Sequence, residues 1–197
     1  MRRAPIASAL IALVLMAAPA VAQAPAKPVS GTYSIDSGHS QVLFTVTHFG
    51  VSEYTGQFTG PTGTLVLDTA NAANDKVDVT FPIAKVSTTV RALDEHLKKA
   101  DFFDAEKFPE GRFVSTSVTA SGTGAVIAGN LTLRGVTRPV TLQARFVGAG
   151  DNPMSRKLNI GFAATTTINR SDFGISYGIP MVSDMVKLTI NAAFQAQ

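Results

Sequence analysis

Residues 174–178 read Gly-Ile-Ser-Tyr-Gly, which matches the G-x-S-x-G pattern around the nucleophilic serine of many hydrolases. In those enzymes a strand precedes the serine, a helix follows it, and the catalytic histidine comes later in the chain. Here Ile179 and Pro180 lead into a further strand pattern, and all three histidines lie upstream of Ser176. The spacing therefore does not predict a hydrolase.

The histidines, His39, His48 and His96, are the other side chains suited to acid–base or metal chemistry. No two of them share a helix or strand face at short spacing, and the chain has no cysteine, so a zinc site would need ligands from distant segments. We interpret His39 as a turn residue, His48 as a strand-end residue and His96 as a helix-surface residue. Neither a metal site nor a catalytic group is predicted.

Two arginines, Arg91 and Arg170, could form ion pairs or bind an anionic group. In one interpretation Arg170 and Asp172 form a structural ion pair, or an Asx turn orders the corner at residues 170–174. In the other, an arginine at the mouth of a cavity recognises a polar or anionic head group, for which its planar guanidinium is suited. The residues alone leave both open.

Apolar and polar residues alternate through most of the chain, which predicts that β-strands position the histidines and arginines. Residues 41–48 place Val42, Phe44 and Val46 on one face, and residues 186–194 repeat the pattern. This period of two is typical of half-buried antiparallel strands. Glycine-rich and proline-rich turns separate about eight or nine such runs, which predicts a barrel or a sandwich. The other clear runs are residues 64–68, 77–83, 127–133, 140–146 and 158–162.

One helix is predicted, at about residues 90–99. Leu93 and Leu97 face inwards, and the pairs Arg91/Glu95, Asp94/Lys98 and Glu95/Lys99 are spaced to support the solvent face. Phe102, Phe103 and Phe108 follow closely, so this segment is expected to cover or line something apolar.

Small residues alternate with large ones on the inward faces, as at Gly129 between Ile127 and Leu131, and at Ala144. An eight-stranded barrel is just wide enough to be filled by side chains or to hold one small ligand. The pattern fits either a cavity or ordinary tapered packing.

The N-terminus predicts export. Arg2 and Arg3 precede an apolar run over residues 6–18, and Ala20-Val21-Ala22 offers a cleavage site, with a cut after Ala24 as the alternative. We expect a signal peptide at residues 1–22, a flexible lead-in at 23–30 and one domain at 31–197. The absence of cysteine argues against a lipid-anchored lipoprotein and against disulfide bonds.

The net charge gives no support to nucleic-acid binding. The whole chain carries 17 Lys and Arg against 14 Asp and Glu, and removing Arg2 and Arg3 leaves 15 against 14. A near-neutral domain lacks the basic surface that nucleic acids require.

An ordered set of motifs carries a family resemblance. These motifs are Tyr33-x-Ile35-Asp36-x-x-His39-Ser40 with Phe44 and His48, Gly56-x-Phe58, Asp94-x-His96-Leu97-Lys98-x-x-Asp101-Phe102-Phe103-Asp104-x-x-x-Phe108-Pro109, Phe113-x-Ser115, Gly129-x-Leu131-Thr132-x-x-Gly135-Val136-Thr137-x-Pro139-Val140 and Arg170-x-Asp172-Phe173-Gly174-Ile175. The set resembles the YceI-like polyisoprenoid-binding family over about residues 32–193.

The resemblance implies an all-β fold with one short helix, an eight-stranded antiparallel lipocalin-like β-barrel exported to the periplasm. It implies a binding or carrier protein that holds a long isoprenoid chain, such as a polyprenyl phosphate or a quinone tail, without a cofactor or catalysis. A filled barrel acting through its surface, as an envelope stress or interaction protein, is the alternative. No nucleic-acid partner and no membrane-spanning segment are expected, and a homodimer is left open.

We assign candidate site residues on this basis. His48, Arg91, Phe102, Phe103 and Arg170 are expected at the mouth or near a ligand head group, with no metal ligands. Each wall residue has simple core packing as its alternative. The candidate wall residues are Phe44, Val46, Phe58, Leu67, Phe81, Phe113, Leu131, Phe146, Ile160, Phe162 and Leu188.

Overall fold

The structure is a computed structural model that describes residues 26–197. The predicted signal peptide at 1–22 and the first part of the lead-in lie outside the described residues and stay predictions. From residue 31 onwards most of the chain is β-strand, which confirms the all-β class.

Eleven strand segments form one antiparallel sheet. A single α-helix in the described residues, α1, spans Arg91–Leu97, shorter than the predicted range of 90–99. The strands are β1 (Gly31–Ile35), β2 (Gln41–His48), β3 (Ser52–Thr59), β4 (Thr62–Leu67), β5 (Lys76–Pro82), β6 (Val86–Ser87), β7 (Glu110–Ser121), β8 (Gly124–Leu133), β9 (Val136–Asp151), β10 (Leu158–Asn169) and β11 (Met185–Ala196).

The sheet closes on itself. Strands β1, β4, β5, β7, β8, β9, β10 and β11 pair in that order, and β1 pairs again with β11 to complete an eight-stranded ring. Closure removes the unpaired edges that an open sheet would expose. The predicted eight-stranded antiparallel barrel is therefore confirmed.

The remaining strands lengthen two walls of the ring. Strand β2 follows β1 after a short turn and pairs with the first half of β11, whereas β1 pairs with its last residues. Strand β3 pairs with β2 and is followed by β4, which pairs with β1. The barrel therefore has eight sides although there are eleven strand segments. Two sides consist of two successive strands joined at a bend, β1 with β2 and β3 with β4, and β6 is a short extra strand paired with β3.

The connections lie at two ends of the barrel. We call one the helix end: it carries the insertion at residues 88–109 with α1, the β2–β3 and β8–β9 hairpins, and the β10–β11 connection at 170–184. The far end carries the β4–β5, β7–β8 and β9–β10 connections. Tyr33, Leu65, Ile160 and Phe194 form a small buried cluster towards the far end, while the larger cluster contains Phe58, Ile83 and Phe173 among others.

Helix α1 is fixed at its start by a contact that its sequence pattern did not predict. The Asp94 carboxylate accepts hydrogen bonds from the backbone N–H and the hydroxyl of Thr88, at 2.6 and 2.7 Å. The expected Asp94/Lys98 pair is therefore wrong, and Lys98 instead donates to Glu95 at 3.0 Å. Asp94 ties the helix to Thr88, the residue directly after β6, rather than stabilising its solvent face.

Candidate functional site: a cavity along the barrel

The barrel interior contains a cavity of about 690 Å³. All eight strands of the ring line it together with β2, β3 and the segment around α1, and most of these side chains are apolar. Pockets for drug-sized ligands have volumes of about 300–1,000 Å³. The interior is thus neither filled by side chains nor polar, which favours a lipophilic ligand.

Ten of the eleven candidate wall residues border the cavity, and their contact with a ligand stays a prediction. Ile160 is the exception: it is 1 % exposed, packs in the small cluster with Tyr33, Leu65 and Phe194, and does not itself line the cavity, although Leu65 and Phe194 do. It helps to close the far end instead of forming wall. The candidates that line the cavity are Phe44, Val46, Phe58, Leu67, Phe81, Phe113, Leu131, Phe146, Phe162 and Leu188.

The small inward residues have two different uses. Ala144 and Ala164 line the cavity and leave it open. Gly129 instead lies beneath the ring of Phe113, so that a Cβ at this position would overlap the ring. Both interpretations of the small–large alternation therefore apply, at different positions.

Three segments meet at the helix end of the cavity. Strand β2 ends at His48, which pairs with Val182 of the β10–β11 connection, and the Phe49 N–H donates to the Met181 carbonyl at 2.6 Å. Arg134, in the β8–β9 hairpin, donates to the backbone carbonyls of both Ala100 and Gly174. These bonds join the hairpins, the segment after α1 and the β10–β11 connection into one rim.

Arg170 holds the β10–β11 connection in place. It is 7 % exposed, and four of its N–H groups donate to backbone carbonyls at 2.8–3.1 Å. The acceptors lie between residues 175 and 183, so the guanidinium is enclosed by the loop that it organises. The expected ion pair between Arg170 and Asp172 is not formed. Arg170 borders the cavity, but most of its N–H donors are already used by the loop, which makes it a poor ligand for a head group. The accepting carbonyls are those of Ile175, Tyr177, Val182 and Ser183.

Asp184 supports the same corner. The Ser171 hydroxyl and N–H donate to its carboxylate at 2.6 and 2.8 Å, and these bonds keep the Asp184 pKa below its usual value. A carboxylate with a depressed folded-state pKa stabilises the fold above its unfolded pKa of about 3.9, and this stability is lost as the pH falls through the folded value.

We expect Asp184→Asn to be less stable than the parent by about 1 kcal/mol at neutral pH, since Asp184 is partly exposed and solvent screens the interaction. The difference should begin to shrink below about pH 4, where the unfolded chain binds this proton, and should be lost as the pH falls through the lower pKa of Asp184 in the folded protein. Urea unfolding of both proteins from pH 7 to pH 2 measures it. A difference in unfolding free energy that stays constant over this pH range would show that the charge of the Asp184 carboxylate does not contribute to the difference.

The candidate Arg91 does not reach the cavity. It is an exposed residue in the first turn of α1 and is absent from the lining, so its proposed place near a head group is wrong. His48, Phe102 and Phe103 do line the helix end. Phe103 packs edge-on against Phe58, with ring centroids 5.3 Å apart.

An aromatic cluster at this end was only partly anticipated. The rings of His96, Phe102 and Tyr177 are mutually in contact, with centroids 4.9–5.4 Å apart, and all three line the cavity. His96 Nε2 lies 2.7 Å from the Asp101 carboxylate, and this hydrogen bond lowers the pKa of Asp101. His96 is thus more than a helix-surface residue.

Tyr54 also lines the cavity and was missed, although it shares a strand face with Phe58 and could have been found by its period of two. The position of Tyr177, in an irregular loop, has no such periodic signal.

Comparison with known proteins identifies the family. A YceI-like domain model matches residues 33–194, almost the whole barrel. The chain belongs to the YceI-like domain family. Protein YceI of Escherichia coli O17:K52:H18 is 41 % identical over 165 residues, which cover 83 % of this chain and 86 % of the relative.

Solved structures with similar folds include BcnA of Burkholderia cenocepacia, with a TM-score of 0.72, 22 % identity, and coverage of 81 % of this chain and 98 % of the other. A polyisoprenoid binding domain from Saccharophagus degradans, implicated in plant cell wall breakdown, has a TM-score of 0.57 and 14 % identity, covering 84 % and 98 %. At these identities the likeness establishes the YceI-like fold.

The remaining chemical motifs of this YceI-like domain do not form a recognised centre. The G-x-S-x-G letters lie in the irregular β10–β11 connection and not at a strand–helix turn. Within residues 26–197, no three His, Asp or Glu side chains come together as a metal site would require. No helix in this part of the chain is long and apolar enough to cross a membrane.

Proposed function

We propose that this YceI-like domain is a periplasmic binding or carrier protein that holds a long isoprenoid chain, of a polyprenyl phosphate or a quinone, in its barrel. The observation that carries the proposal is the apolar cavity of about 690 Å³, lined by all eight strands of the ring. The protein has no chemistry of its own in this proposal, and it acts by shielding the chain from water.

The energetics favour a long ligand over a short one. Burial of one CH₂ group contributes about 0.8 kcal/mol, so an isoprene unit contributes roughly 3–4 kcal/mol. Association costs about 4–15 kcal/mol before any net affinity appears. Several isoprene units are therefore needed for micromolar binding, and a linear chain suits a cavity that follows the barrel axis.

Family membership and the predicted signal peptide support the same conclusion. The Saccharophagus degradans domain of similar fold is described as polyisoprenoid binding. The predicted cleavage site before Gln23 supports export to the periplasm. The alternative of a filled barrel acting through its surface loses its basis, because the interior is not filled.

The test is native mass spectrometry of protein purified from its own periplasm, followed by organic extraction and lipid analysis. A stoichiometric prenyl lipid is the expected result, and delipidated protein should take up added ubiquinone or polyprenyl phosphate. Protein that is empty as isolated and takes up neither lipid would overturn the carrier function.

A further inference from the structure

Large apolar side chains are exposed around the helix end of the barrel. Phe49 and Val51 lie at the tip of the β2–β3 hairpin, Tyr177 and Met181 lie in the β10–β11 connection, and each of the four is more than half exposed. The two segments are joined, because the Phe49 N–H donates to the Met181 carbonyl. We call these four residues the rim patch. Exposed apolar surface of this kind marks a site that binds a protein partner or a membrane.

Phe49 has a backbone conformation that a bulky side chain does not favour. Its φ is 53° and that of Gly50 is 71°, and the Val51 N–H donates to the His48 carbonyl at 3.1 Å, as in a type I′ turn. Asparagine, aspartate or glycine is preferred at the first central position of such a turn. The Phe49 ring touches that of His48, but the residue stays more than half exposed, so burial offsets little of the backbone cost. A contact outside the chain explains a phenylalanine at this position.

The segments that carry the rim patch have no charged residue. Residues 49–52 and 174–183 contain no Asp, Glu, Lys or Arg. A charge is costly to move into a bilayer, whereas tyrosine is enriched where the hydrocarbon meets water. The far end differs, because its exposed Met154 is followed by Arg156 and Lys157. The rim patch thus has the composition expected of a surface that enters a lipid bilayer.

The rim patch is also continuous with the cavity. Tyr177 belongs to both, and Gly178, Val182 and His48 beside it line the cavity. An isoprenoid lipid is insoluble in water and resides in a bilayer, so a lipid that enters at this end crosses the rim patch. A rim embedded in the bilayer surface lets the apolar chain pass into the cavity without contact with water.

We propose that the rim patch docks on the surface of a phospholipid bilayer, with its four side chains inserted among the lipids and the mouth of the cavity facing the membrane. This inference rests on the proposed carrier function and adds the surface at which the cargo is exchanged. Because the inserted segments carry no charge, apolar burial drives docking, and high salt should not reverse it.

The test is flotation of delipidated protein with vesicles of phosphatidylethanolamine and phosphatidylglycerol that contain no isoprenoid, at low and high salt. The parent should float with the vesicles under both conditions. Phe49→Asn/Met181→Ser removes two apolar side chains of the rim patch and should weaken partitioning at least about tenfold. Asparagine suits the type I′ turn better than phenylalanine does, so this variant should not lose stability in the hairpin.

Val147→Ser/Met154→Ser is the matched control, because it removes two exposed apolar side chains at the far end. It should partition like the parent. Ubiquinone uptake is the second measurement. Uptake from detergent solution should be equal in the parent and both variants, since the cavity is unchanged, whereas uptake from vesicles should be slower in the rim variant alone.

The docking surface is overturned by a parent that does not float, by a rim variant that floats like the parent, or by equal losses in the rim variant and the control. Binding only to vesicles that contain membrane proteins would assign the rim patch to a protein partner and would overturn it too. These outcomes are distinct from failure of the carrier function. Protein that floats but takes up no lipid from either source would overturn the carrier function and leave docking in place.

Discussion

Replacing Arg170 with methionine is expected to lower the free energy of unfolding by at least about 3 kcal/mol. Four backbone carbonyls between residues 175 and 183 lose their donor, and a buried acceptor left without a partner costs about 1–3 kcal/mol. Water will reach some of these carbonyls as the loop loosens, so the full sum is not expected.

The measurement is urea unfolding at neutral pH, with hydrogen exchange of the amides in residues 174–184 as the local readout. Arg112→Met is the matched control. Arg112 bonds Asp78 through two N–H groups at 2.6 and 2.9 Å, but this pair is exposed and should be worth less than about 1 kcal/mol. Equal losses in the two variants would mean that Arg170 does not hold the loop.

The second large effect concerns ligand uptake. Phe162→Glu should weaken binding of a prenyl lipid by roughly a hundredfold or more, because a carboxylate in the apolar cavity must keep its water and an isoprenoid chain cannot hydrate it. Phe162 lines the cavity and packs against Phe146 and Phe194, with ring centroids 5.7 and 6.3 Å apart. Uptake by delipidated protein measures the effect.

The control is Thr165→Glu, which places the same charge on the exposed face of the same strand and should bind normally. If Phe162→Glu does not fold, Ala164→Phe tests the point without a charge, since it fills part of the cavity from a position that lines it. Normal uptake by a folded Phe162→Glu protein would remove this residue from the binding site.

Strand β2 shows what the sequence could predict. Its observed bounds, Gln41–His48, coincide with the predicted run, because the alternation is unbroken and Val42, Phe44 and Val46 all face the cavity. The class, the barrel and most wall positions follow from patterns of this kind, while β1 is too short to give a clear signal.

Strand β7 shows why some strands could not be predicted from the alternation of residues. A β-bulge between Ser115 and Ser117 shifts the register, so the buried Phe113 and Val118 are five residues apart and no period of two connects them. The hydrogen bonds that hold the rim together were even less predictable than strand β7. Arg170 bonds backbone carbonyls, and a carbonyl is present at every residue, so the sequence carries no mark of which ones will be used.

The rim is built from the β2–β3 hairpin, the insertion around α1 and the β10–β11 connection, whereas the ladder of the ring lies outside these segments. Side chains of the irregular segments, such as Phe102 and Tyr177, can therefore change with little disturbance to strand pairing. The almost uniformly apolar walls do not distinguish one chain from another beyond length and width. A few substitutions at the rim would give the same barrel a new cargo, so that specificity can evolve separately from folding.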